Sequence, residues 1–118
     1  MADEGKTVNL ALTDPDSNEV VPRTAPVYAG DFMLASQADR ELIFCNPAGG
    51  HQSLTAPHLS NAVDDSAWAT RRHGALYVTD GTDDTVDVVS GGFTVGQMYS
   101  SVTPCDAANA PATCPRFP

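Results

Sequence analysis

Gly74-Ala75-Leu76-Tyr77-Val78-Thr79-Asp80-Gly81-Thr82-Asp83-Asp84-Thr85-Val86-Asp87-Val88-Val89 reads as two short apolar-rich segments on either side of a polar turn. Period-2 alternation flanking an Asp/Gly/Thr turn is the pattern of a β-hairpin, because successive side chains of a strand point to opposite faces. Setting Gly30-Asp31-Phe32-Met33-Leu34-Ala35-Ser36-Gln37-Ala38-Asp39-Arg40-Glu41-Leu42-Ile43-Phe44-Cys45 above it aligns Phe32 with Leu76, Leu34 with Val78, Leu42 with Val86 and Phe44 with Val88. Asp39 falls on Asp83, and the shift is forty-four residues. The two stretches therefore predict two copies of one hairpin. A weaker third copy over residues 10–21 aligns Leu12 with Val78, Asp14 with Asp80 and Val20 with Val86. It predicts a shortened N-terminal hairpin with Pro15 in the turn, where its fixed φ helps and its missing N–H costs nothing.

Further strand candidates lie between and after the copies, at residues 52–55, at Ser66-Ala67-Trp68-Ala69-Thr70, and from Phe93 to Val102 beyond a predicted Gly91-Gly92 turn. No twelve-residue segment carries a 3.6-residue period, since Pro, Gly and β-branched residues interrupt throughout. The expectation is an all-β protein of antiparallel, four-stranded, blade-like sheets. Residues 1–6 are expected to be a disordered N-terminus, residues 7–102 to hold the repeats, and residues 103–118 to form an irregular Pro/Ala-rich tail. Cys105 and Cys114 bracket a stretch of that tail with no regular period, which suggests a loop-closing disulfide worth about 2–3 kcal/mol. Cys45 ends the apolar run Leu42-Ile43-Phe44 and reads as a small buried hydrophobe.

The charge balance excludes some partners. Fifteen acidic residues against six basic ones give a formal charge of −9 in 118 residues, so no cationic surface exists to hold nucleic-acid phosphates or an anionic membrane. No apolar run is long enough to insert into a bilayer. No phosphate-binding loop, nucleophile elbow, zinc-type Cys/His cluster or metalloprotease helix is present. The acidic turn holding Asp80, Asp83 and Asp84 offers oxygen ligands of the kind calcium takes, although Asp and Gly also suit a tight turn for backbone reasons. No other cofactor is implied. Trp68, flanked by Ala67 and Ala69, points to one face of its strand and reads first as a packing residue, with a ligand-binding platform as the alternative.

Four strands per forty-odd residues is the spacing of a β-propeller blade, and the stretch from Leu76 to Val89 resembles the YVTN-type repeat, related to the NHL and lactonase-like blades. The likeness covers residues 8–102, closest over 74–89. It amounts to two blades and part of a third, where that family has six or seven. Asp87 replaces an apolar residue of the pattern and is expected to face water. The resemblance implies a secreted or surface-located, non-catalytic binding or scaffold module with a protein or glycan partner. It also implies an alternative, part of a calcium-dependent lactonase-like hydrolase, with Asn61, Asp64 and Asp65 ahead of an inner strand and His58 as a nearby base. In either case a lone blade leaves apolar faces wet. They could be covered by further blades of a longer propeller, by identical chains associating as a homo-oligomer, or by the sheets folding on one another as a small sandwich.

Overall fold

A computed structural model describes residues 9–47, 52–81 and 83–102. It is all-β and antiparallel, with no helix among the described residues. Eight strands follow in order: β1 Pro15–Val20, β2 Phe32–Ser36, β3 Glu41–Asn46, β4 Ser53–Thr55, β5 Ser66–Trp68, β6 His73–Asp80, β7 Thr85–Gly92 and β8 Met98–Ser100. The first four form one sheet in sequence order, a simple up-and-down meander.

The repeat appears in the backbone pair by pair. Across β2 and β3, Phe32 faces Cys45, Met33 faces Phe44, Leu34 faces Ile43 and Ala35 faces Leu42. Forty-four residues later, Leu76 faces Val89, Tyr77 faces Val88, Val78 faces Asp87 and Thr79 faces Val86. Both connections are four residues long and end on a left-handed residue, Arg40 at φ 55° and Asp84 at φ 53°. A short polar side chain ties each turn. Ser36 Oγ donates to Asp39 Oδ2 at 2.6 Å in the first, and the Asp83 amide donates to Asp80 Oδ1 at 3.3 Å in the second.

The N-terminal stretch differs from expectation. Residues 15–20 form a single strand rather than a hairpin, and Pro15 opens that strand instead of sitting in a turn. Strand β1 is an edge of its sheet, and the first residue of an edge strand is a place where the missing N–H of proline is harmless. The residues ahead of it are held by the β2–β3 turn. Asp39 accepts from the Thr13 amide at 2.8 Å and from Thr13 Oγ1 at 2.7 Å, while the Gln37 amide donates to Asp14 O at 3.0 Å. The Ser36 hydroxyl foremost, then the Thr13 amide and hydroxyl, hold the Asp39 carboxyl below its usual range. Its contribution to stability is therefore present above the ordinary carboxylate range and lost as pH falls through the lowered value.

The second unit also departs from a single four-stranded sheet. Strand β5 pairs with β8, placing Trp68 opposite Met98, and the β6–β7 hairpin stands as a sheet of its own. The chain bends at Arg71 and Arg72 after β5. The Ala69 amide and carbonyl are spent on Gln97 O and the Gly96 amide, which extends the β5–β8 ladder. Gly91 and Gly92 are paired residues of β7, facing Gly74 and His73, not a turn.

One face of the meander carries the core. Met33, Ala35, Leu42 and Phe44 are at most 4% exposed and pack with Val21, Ala25 and Val63, against which Tyr28, Leu59, Trp68 and Met98 close. The Phe44 ring stacks on Tyr28, centroids 4.0 Å apart. Trp68 is thus a packing residue between sheets. The opposite face of the meander is more open: Ile43 is buried, Leu34 and Cys45 are half-buried, and Phe32 and Val20 are exposed. Cys45 carries a free thiol and is only half-buried. The predicted bridge between Cys105 and Cys114 lies outside the described residues.

Candidate functional site

The best-defined polar constellation lies on the seam where the meander meets β5 and β8. Glu19 projects from β1 on the core side, opposite Met33. The segment entering β5 is held by a dense backbone network. The Asp64 amide donates to Ser101 O at 3.0 Å, and the Ser101 amide donates to Asp65 O at 2.8 Å. Ser17 Oγ reaches across from β1 to donate to Asp64 O at 2.9 Å. Asp65 accepts from the Ser66 amide at 2.8 Å, and the Ser66 and Ser100 hydroxyls share a 2.7 Å hydrogen bond.

Burial raises the Glu19 carboxyl above its ordinary value of 4.5, the Asp65 charge adds to the rise, and the Trp68 indole N–H opposes it. The indole nitrogen itself is buried without a hydrogen bond of proper geometry among the described residues. A carboxylate whose folded pKa is raised weakens the fold once it ionises: the effect is absent below about pH 4.5 and grows as pH rises through the raised value. Glu19→Gln is accordingly expected to raise the urea midpoint at pH 7 and to match the wild type at pH 4. Trp68, the one tryptophan of the chain, supplies the fluorescence signal. An equal gain at both pH values would show that ionisation of Glu19 is not the cause.

Next to this seam, between β5 and β6, an open cleft of about 230 Å³ is bounded by Trp68, Arg71, His73, Leu76, Phe93 and Tyr99, among others. Phe93 and Tyr99 meet edge to face, centroids 5.5 Å apart. The cleft offers aromatic surface with two basic side chains at its rim.

The residues singled out from the sequence are dispersed. Asp64 and Asp65 lie on the seam, and Asn61 precedes it, half-buried. His58 is elsewhere: its side chain is 74% exposed and Nε2 pairs with Glu41 Oε1 of β3 at 2.8 Å. Asp80, Asp83 and Asp84 sit at the tip of the β6–β7 hairpin, with Asp80 accepting from the turn backbone. Among the described residues, no three His, Cys, Asp or Glu side chains come together in a way that could hold a metal ion. Glu19, Phe93 and Tyr99 were not legible as site residues. The signal for Glu19 was available, an acid alternating with Val20 along a strand, but it needed β1 to be recognised as one strand.

No family model, no curated protein and no solved structure matches the chain. What the fold establishes by itself is an all-β protein with a repeated hairpin, one antiparallel four-stranded meander and a second hairpin that pairs with no further strand among the described residues.

Proposed function

We propose that the chain supplies blades of a β-propeller-type scaffold, secreted or displayed at a cell surface, that binds a protein or glycan and does not catalyse. The observation that carries this reading is the pair of hairpins in identical register, one within a four-stranded meander and the other with Tyr77, Val86, Val88 and Val89 exposed. Sheets of this kind gain stability by stacking on neighbours of the same repeat. The aromatic cleft beside Trp68 is the natural ligand recess, since sugar rings and apolar side chains both pack on aromatic faces. A hydrolase of the calcium-dependent lactonase type would need Asp64 and Asp65 to converge with further ligands, and among the described residues no three acidic, His or Cys side chains come together to hold a metal.

A panel of lactones assayed with and without calcium tests the non-catalytic reading. No turnover is expected. Calcium-dependent turnover that disappears in Asp64→Ala would replace the scaffold reading with the hydrolase one.

A further inference from the structure

The cleft between β5 and β6 stands apart from the rest of the chain in charge. Fifteen acidic residues outnumber six Lys and Arg overall, yet no Asp or Glu lines the cleft, while Arg71 and His73 both do. Arg71 is exposed, and among the described residues no carboxylate lies within ion-pair distance of its guanidinium. Beside it stand three half-buried rings, Trp68, Phe93 and Tyr99. The Trp68 indole nitrogen is buried, so Trp68 offers the cleft ring carbon and no donor. Two hydroxyls complete the lining, those of the exposed Thr70 and of Tyr99, which donates to Gln97 Oε1 at 3.4 Å. Each feature selects a property of the ligand. A guanidinium fork with no acid of its own matches a carboxylate, which it holds through two parallel charge-assisted hydrogen bonds. Aromatic faces match a flat apolar surface. The cleft volume of about 230 Å³ lies below the roughly 300 Å³ at which pockets for drug-sized ligands begin, so it admits one ring and not a chain of them. Polyanions are disfavoured, because one arginine cannot offset several charges against a chain of net charge −9.

We propose that the cleft binds a single acidic sugar ring, a hexuronate of a glycan, with its carboxylate on Arg71 and its C–H face against the aromatic walls. A hexuronate carries one negative charge, one apolar face and a rim of hydroxyls that Thr70, Tyr99 and water satisfy at the open mouth. An aromatic acid brings no hydroxyls to Thr70 and Tyr99. An acidic side chain of a peptide carries its carboxylate on flexible methylenes, with no ring to set against Trp68, Phe93 and Tyr99. The assignment rests on the binding-module reading and names the glycan chemistry that such a module takes.

Methyl glucuronide is the probe and methyl glucoside its neutral counterpart, with binding followed by Trp68 emission and by saturation transfer to the sugar protons. A ligand of this size is expected to bind with a Kd in about the millimolar range. The glucoside should bind roughly tenfold more weakly, the loss that goes with one charge-assisted hydrogen-bonded contact. Added salt should shrink that preference. Arg71→Ala should abolish it, and Arg71→Lys should keep only part of it, since an ammonium retains the charge without the fork. Arg72→Ala, outside the cleft lining, should leave it in place. Circular dichroism should be the same for all three variants, because both arginines are exposed. Equal affinity for the two sugars would overturn the proposal, as would no signal from the glucuronide at about ten times the expected Kd. Benzoate or acetylglutamate amide displacing the glucuronide at equal concentration would also overturn it, and would give the cleft to aromatic acids or to acidic peptides. None of these results touches the non-catalytic reading, which stands or falls on lactone turnover.

Discussion

Phe44→Ala is expected to cost about 3–5 kcal/mol of unfolding free energy, the usual range for removing a ring from a packed core. Val88→Ala, at the same position of the second repeat copy, should cost less than about 1 kcal/mol. The contrast follows from what each residue touches. Phe44 is 4% exposed, stacks on Tyr28 and lies opposite the fully buried Met33. Its loss opens a cavity where the meander, the β1–β2 connection and Val63 meet. Val88 faces water across from Tyr77 and is 56% exposed, so its truncation loses little besides strand preference. Urea titrations in dilute solution, followed through Trp68, measure both. Equal costs would mean that the second hairpin is covered in the single chain, against the 56% exposure of Val88.

Local rules made the hairpins legible. Alternation assigned faces, and a four-residue polar connection set the register, because a hairpin's partners are neighbours in sequence and its turn fixes their pairing. Asp87 was correctly expected to face water, and it is exposed. The same rules could not tell which strands meet at a distance. Period 2 says which side of a strand is apolar, but not that β5 will choose β8 over the adjacent β6. That choice depends on the bend at Arg71 and Arg72 and on the hydrogen bonds of Ala69. Pro15 misled for a related reason: a proline suits a turn and an edge-strand start equally well, and only the pairing with Ser36 decides. The seam was half visible. Asp64, Asp65 and Trp68 stood out as residue types, while their neighbour Glu19 became meaningful only once β1 lay across from β5.

Gly96→Ala carries the second large expected effect, and it tests whether the seam is a fixed joint. Gly96 is buried in the β7–β8 connection at φ 87°. A Cβ there would drive into the Thr24 carbonyl oxygen and lie 2.9 Å from its carbon and 3.1 Å from Ala25 Cα. All three atoms belong to the backbone of the β1–β2 connection, so no side chain can swing aside. Two penalties combine: a left-handed backbone at about 1–2 kcal/mol for an L-residue, and overpacking at about 1–3 kcal/mol. Gly30→Ala separates them. Gly30 has nearly the same φ, 85°, but a Cβ there would meet nothing within 4 Å, so only the backbone term should appear. The Gly96 variant should therefore be the less stable of the two by the overpacking term. It should also let water reach Trp68, shifting its emission to the red, because Gly96 donates to Ala69 beside it. Equal stability of the two variants, with unchanged emission, would mean that the two connections do not press together in solution. The β5–β8 pair would then have to be held on the meander by the apolar contacts of Trp68 and Met98 and by the Ser17–Asp64 hydrogen bond.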